Sequence, residues 1–143
     1  MEQENKSTMV DEKGREIIGE ARWKVTNEDC AKAQGSGDMD VLSTPRVAAL
    51  MEQAACEALS RAGFLAHGQT TVGVRLDIRH QAPTTPGEPV QATARLLSKE
   101  GQRFLFSIEA EDKRGTIAQA EHIRQLVDRR TFMLKARRRA ERG

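Results

Sequence analysis

The chain has 143 residues and a net charge of only +2, and it holds no run of about 20 apolar residues of the kind a membrane span needs. That length suits one domain with a core of its own. Two cysteines, Cys30 and Cys56, are too few and too far apart for a disulfide framework or a zinc site. They read as free thiols in a reducing compartment, and the cytoplasm is the expected location.

Charge is unevenly spread. Residues 129–143 carry seven Arg or Lys and one Glu, which leaves the remainder net acidic. The simplest reading is a solvated terminal helix, with attraction to a nucleotide phosphate as the next and nucleic-acid binding as a minor alternative, since no aromatic residues alternate with the Arg137-Arg-Arg139 run. The organisation expected is a flexible leader over 1–15, one domain over 16–134 and a basic tail over 135–143. The polar start Met-Glu-Gln-Glu-Asn-Lys has no apolar core of a secretory signal.

In chain order, residues 18–27 predict a first strand, with Ala21, Trp23 and Val25 alternating against Glu20, Arg22 and Lys24. Gln34–Asp38, with two glycines, is a loop. A helix is predicted from Pro45 to Ala62. Ser43 or Thr44 supplies the N-cap oxygen, Pro45 takes the first helical position and Gly63 stops it. Val47, Met51, Ala54, Ala58 and Ala62, flanked by Leu50 and Ala55, form its apolar stripe, and the alanines allow a sheet to come close.

The period then changes to two. Val72, Val74, Leu76 and Ile78 alternate with polar residues, and a regular strand would put His80 on their face. Further strands are predicted over 89–99, 103–112 and 116–128, joined by short Gly-containing turns that imply an antiparallel meander. The order strand, helix, four strands is an α+β pattern in which one helix buries its stripe against a curved antiparallel sheet. No GxGxxG or GxxxxGK[ST] motif marks a nucleotide-binding turn.

Three residue types suited to acyl transfer fall at marked places: Thr44 at the helix start, Glu52 two turns on beside the apolar stripe, and His80 at a strand end. Each has an ordinary explanation as a cap, a surface carboxylate or a packed imidazole. Together they suggest a carbonyl-directed site at a helix N-terminus, where developing negative charge is stabilised. His67, His80 and His122 are not spaced as metal ligands.

The pieces Val41-Leu-Ser-Thr-Pro, Leu50-Met-Glu-Gln-Ala-Ala-Cys, Thr71-Val-Gly-Val, His80-Gln-Ala, Pro86-Gly and Glu121-His-Ile-Arg-Gln-Leu-Val, in this order, resemble the hotdog-fold acyl-CoA thioesterases, in their fluoroacetyl-CoA thioesterase-like branch. The resemblance implies a hotdog fold, one long helix wrapped by a sheet of about five strands. It further implies a homodimer, extendable to a dimer of dimers, with active sites at the subunit interface. It places Thr44, Glu52 and His80 at catalytic positions, Gly73 beside the thioester and Arg124 near the acyl group. The substrate implied is a small or short-chain acyl-CoA, hydrolysed without a cofactor, since CoA enters as part of the substrate. Residues 34–40 contain no aromatic, so an aromatic lid suited to fluoroacetyl selectivity is not expected there. A hotdog protein that binds acyl-CoA without turnover is the alternative.

Overall fold

A computed structural model describes residues 8–142. Its five strands are β1 (Ile18–Lys24), β2 (Gln69–His80), β3 (Pro89–Glu100), β4 (Arg103–Asp112) and β5 (Gly115–Asp128), and its three α-helices are α1 (Ala31–Gln34), α2 (Thr44–Ala62) and α3 (Arg129–Glu141). One antiparallel sheet has the order β1-β3-β4-β5-β2. Strands β3, β4 and β5 form the expected meander, while β1 and β2 occupy the two edges.

Alternation decides which face meets α2. Val90, Ala92, Ala94 and Leu96 of β3, Phe104, Phe106, Ile108 and Ala110 of β4, and Ala118 and Ala120 of β5 are all buried. The helix answers with Val47, Leu50, Met51, Ala54, Ala55, Ala58 and Leu59. Burying a side chain such as Phe104 or Phe106 stabilises the fold by roughly 2–3 kcal/mol. The stripe runs to Leu59, whereas Ala62, in the last turn, lies exposed. The small residues serve as expected: a methyl group on Gly19 of β1 would land on the backbone of Ala54 and Ala58.

Both ends of α2 are fixed by side-chain and backbone bonds. Gly63 at φ 73° closes the helix, its N–H donating to Leu59 and Ser60. At the start Ser43 alone is the cap, its Oγ accepting from the Arg46 amide at 3.2 Å. Thr44 is the first helical residue and Pro45 the second.

The first strand is shorter than the sequence pattern suggests, because a 3-10 turn at Asn27–Asp29 and the short α1 follow it. The Asp29 carboxylate accepts from the Thr26 amide at 2.8 Å and ion-pairs with Arg46 Nε at 2.9 Å. The Arg46 guanidinium also lies 4.8 Å from the Trp23 ring centre. The segment leading into α2 is thus tied to the helix's first turn. Of the leader expected over 1–15, residues 1–7 lie outside the described residues. Residues 8–15 turn back on themselves, with a Val10–Glu16 bridge and the Met9 amide bonded to Leu96 O at 3.1 Å. Residues 135–141, expected as a basic tail, belong to α3, none of whose residues is buried. Among the described residues no helix is long and apolar enough to cross a membrane.

Candidate active site

The site depends on an irregularity in β2. Its pairing with β5 slips between Gly73 and Arg75, leaving Val74 as the extra residue of a β-bulge. One inserted residue reverses the parity of everything beyond it. The regular strand predicted from Val72, Val74, Leu76 and Ile78 is therefore corrected. Thr71 and Gly73 upstream share a face with Leu76, Ile78 and His80 downstream, as their partners Leu126, Arg124, His122, Ala120 and Ala118 show. Val74 is 46% exposed. The bulge brings two differently phased half-strands to bear on α2.

The downstream half ends at His80, whose Nδ1 lies 2.8 Å from Thr44 Oγ1. Because Ser43 performs the capping, the Thr44 hydroxyl is left for this contact, and the choice between the two residues as cap resolves in a way that favours chemistry. Burial holds the His80 imidazole below its ordinary pKa, partly opposed by the Ala82 backbone. A neutral ring in its Nε2–H tautomer accepts the Thr44 proton at Nδ1. Its Nε2 is buried and has no hydrogen-bond partner among the described residues.

The upstream half holds Glu52. Arg124 Nη1 donates to Glu52 Oε2 at 3.1 Å, and a Cβ on Gly73 would occupy the position of that oxygen. Glycine is therefore what allows the carboxylate to sit against the strand. Arg124 is itself buried and engaged through four of its five N–H groups: besides the Glu52 contact, Nε donates to Thr71 Oγ1 at 2.9 Å, Nη2 to the Thr71 carbonyl at 3.1 Å, and Nη1 approaches His122 Nε2 at 3.2 Å. Arg124 is thus paired with the Glu52 carboxylate in this chain.

His122, fully buried, completes this set. Its Nδ1 lies 2.7 Å from the Arg75 carbonyl, which can only accept, so Nδ1 carries the hydrogen and Nε2 of a neutral ring accepts from Arg124. Burial, the largest influence, keeps its pKa below the ordinary value. The 3.8 Å approach of His122 to Glu52 is accordingly a contact with a neutral ring. Spacing in the sequence shows His122 only as a histidine not placed for a metal site. The signal was two polar residues, His122 and Arg124, at successive inward positions of a strand whose other inward residues are Ala118 and Ala120.

The three predicted catalytic residues do not converge within one chain. Thr44 and His80 meet, while Glu52 sits with Gly73 and Arg124, eight residues or about 12 Å further along the helix axis. The Glu52 side chain is 42% exposed and lies beside the open edge strand β2. Among the described residues no group of three or more His, Cys, Asp and Glu side chains could hold a metal ion.

A five-stranded antiparallel sheet in this order curled about one long helix is the hotdog fold, which its thioesterase neighbours share. The sequence profile of the family described as "FlK: Fluoroacetyl-CoA-specific thioesterase" matches residues 25–130, and the chain belongs to that family. It is 32% identical over 104 residues to the fluoroacetyl-CoA thioesterase of Streptantibioticus cattleyicolor, covering 73% of each chain. Among solved structures it is similar to a point mutant of the fluoroacetyl-CoA-specific thioesterase FlK in complex with fluoroacetate and CoA, with a TM-score of 0.78, 25% identity, and coverage of 84% of this chain and 97% of that one. A Thermus thermophilus member of the thioesterase superfamily aligns with a TM-score of 0.81 at 25% identity, over 89% of this chain and 93% of its own.

Proposed function

We propose that the protein hydrolyses the thioester of a small or short-chain acyl-CoA, giving a carboxylate and free CoA, in a site shared by two copies of the chain. The observation that carries this reading is the split between the Thr44–His80 pair and Glu52. A carbonyl carbon can be attacked only by a group within about 3.5 Å, so groups two helical turns apart cannot serve one carbonyl from the same helix. Two copies joined antiparallel along their open β2 edges bring Glu52 of the partner subunit toward the Thr44–His80 pair. The small acyl group is inferred from family membership, and the segment over residues 34–40 contributes no aromatic ring to select fluoroacetyl.

In this site the Glu52 carboxylate, oriented by Arg124, acts on the thioester carbonyl directly or through water. Of the groups at the start of α2 only the Thr44 amide faces the oxygen that becomes negative, since Pro45 has no N–H, the Arg46 amide is bonded to Ser43 Oγ, the Val47 amide to the Ser43 carbonyl, and the Thr44 hydroxyl donates to His80. Neutral His80 relays a proton to the departing thiolate, so that water is consumed and the carboxylate and thiol leave. Trapping an acyl-enzyme, or recovering label in Glu52 after turnover in heavy-oxygen water, marks an acyl-enzyme anhydride, and single-turnover experiments that show neither count for direct attack.

The test mixes Thr44→Ala and Glu52→Ala chains, each inactive as a homodimer, and measures thiol release from acetyl-CoA and propionyl-CoA. A shared site regenerates activity in the heterodimer, which holds one intact Thr44–His80 pair facing one intact Glu52. Silence in the heterodimer would assign the three residues to one chain. Failure of the wild type to release thiol while still binding the thioesters would establish the binding protein instead.

A further inference from the structure

Helix α3 is the one element that the sheet and α2 leave without a task. It springs from the end of β5, its Arg129 amide bonded to Gly68 O at 2.9 Å next to the start of β2, and none of its residues is buried. Lys135, Arg138, Arg139 and Arg142 fall at i, i+3, i+4 and i+7, so they share one face, and with Thr131 and Leu134 they line a shallow surface depression. No acidic side chain lines it. Like charges at such spacing destabilise a helix, and among the described residues no ion pair engages these four.

Several other cations are engaged, while Arg75 and Arg79 of β2 take part in no ion pair among the described residues. Arg46 is held by Asp29, Arg124 by Glu52 and Thr71, Arg95 by Glu16, and Arg114 lies 3.8 Å from Glu88. The basic face of α3 is thus a concentrated supply of free positive charge, and it is rich in planar donors, which suit phosphate oxygens.

Its position gives the occupant. In an antiparallel pair of identical strands, the beginning of one lies beside the end of the other. The Gln69 end of β2, beside which α3 leaves β5, then neighbours the His80 end of the partner's β2. We propose that α3 of one subunit holds the phosphates of the CoA whose thioester lies at the Thr44–His80 pair of the other. This rests on the shared-site reading above and deepens it, since it names what anchors the remote end of the substrate.

The experiment compares acetyl-CoA with acetyl-pantetheine, which carries the same thioester without the nucleotide phosphates, using the wild type and the triple variant Lys135→Gln, Arg138→Gln, Arg139→Gln. Each exposed charge contact contributes roughly 1.5- to 5-fold in affinity, so the three lost together should raise the KM for acetyl-CoA by roughly 3- to 100-fold with kcat little changed. The wild type's preference for acetyl-CoA over acetyl-pantetheine collapses, and added salt mimics the substitution. Circular dichroism and sizing of the variant confirm helix content and assembly. An unchanged KM in a folded, active variant would overturn the proposal and leave the thioesterase reading intact. Absence of thiol release from either substrate by the wild type would overturn both.

Placement in trans is read from the complementing heterodimer. The triple substitution on the Thr44→Ala chain, which supplies Glu52 and α3 to the working site, raises KM. On the Glu52→Ala chain it leaves KM unchanged. The reverse pattern would put the phosphates on the same subunit as Thr44 and refute the arrangement.

Discussion

His80 and His122 both project from the inward face of the sheet, on neighbouring strands, and burial depresses the pKa of each. They differ in what their nitrogens touch. His122 commits Nδ1 to the Arg75 carbonyl and Nε2 to Arg124, so its ring is a strut. His80 bonds the Thr44 hydroxyl with one nitrogen and leaves the other buried and unpartnered among the described residues. A polar group whose bonds are all made inside the protein holds the structure together, and one with a bond still to make is available to a substrate.

This contrast can be broken by substitution. The largest effect expected is from His80→Ala, which should lower kcat for acetyl-CoA by roughly 10²–10⁴-fold while the urea midpoint barely moves. His122→Ala should do the opposite in kind. It opens a cavity and leaves the Arg75 carbonyl and an Arg124 N–H without partners, for a loss of about 3–4 kcal/mol in urea unfolding. Comparable loss of activity and stability from both would show that the two rings do the same work.

Gly73→Ala tests the upstream half more gently. The added methyl must displace the Glu52 carboxylate, so overpacking of about 1–3 kcal/mol should accompany a clear fall in kcat, measured alongside a melting curve.

The pH dependence follows from both rings together. Each has a folded-state pKa below the unfolded value of about 6.5. As pH falls through that value the unfolded chain takes up protons that the folded one refuses, so stability should drop on acidification below about 6.5 and level off once the folded rings protonate. Urea midpoints across pH 4–8 check the sign. Thiol release should decline in the same direction as His80 gains its proton, and an activity maximum at acid pH would contradict the neutral-ring assignment. The smallest expected change is from Ser43→Ala, about 1 kcal/mol for a lost cap, with activity largely kept because Thr44 is not the cap.

Much of this was legible from local pattern. Helix α2 announced itself through Pro45, Gly63 and an alanine-rich stripe, and β3 and β4 through clean alternation, because a single buried face imposes one period. Thr44, Glu52 and His80 could be singled out by residue type and place. What local pattern could not give was the phase of β2. The valines at 72 and 74 looked continuous with Leu76 and Ile78, and only the pairing with β5 reveals the slip between Gly73 and Arg75. The network around Arg124 was hidden for a similar reason, since Thr71, Glu52 and His122 are far apart in sequence and meet only through the sheet.

The bulge at Val74 has a consequence beyond aiming side chains. Strand β2 is one of the two margins of the sheet, twelve residues long, and a flat margin of that length would invite any extended segment of another protein to zip along it. The extra residue interrupts and twists the row of donors and acceptors, so a regular strand can bond only part of its length before falling out of step. Such an irregularity is one of the devices by which edge strands resist indiscriminate pairing.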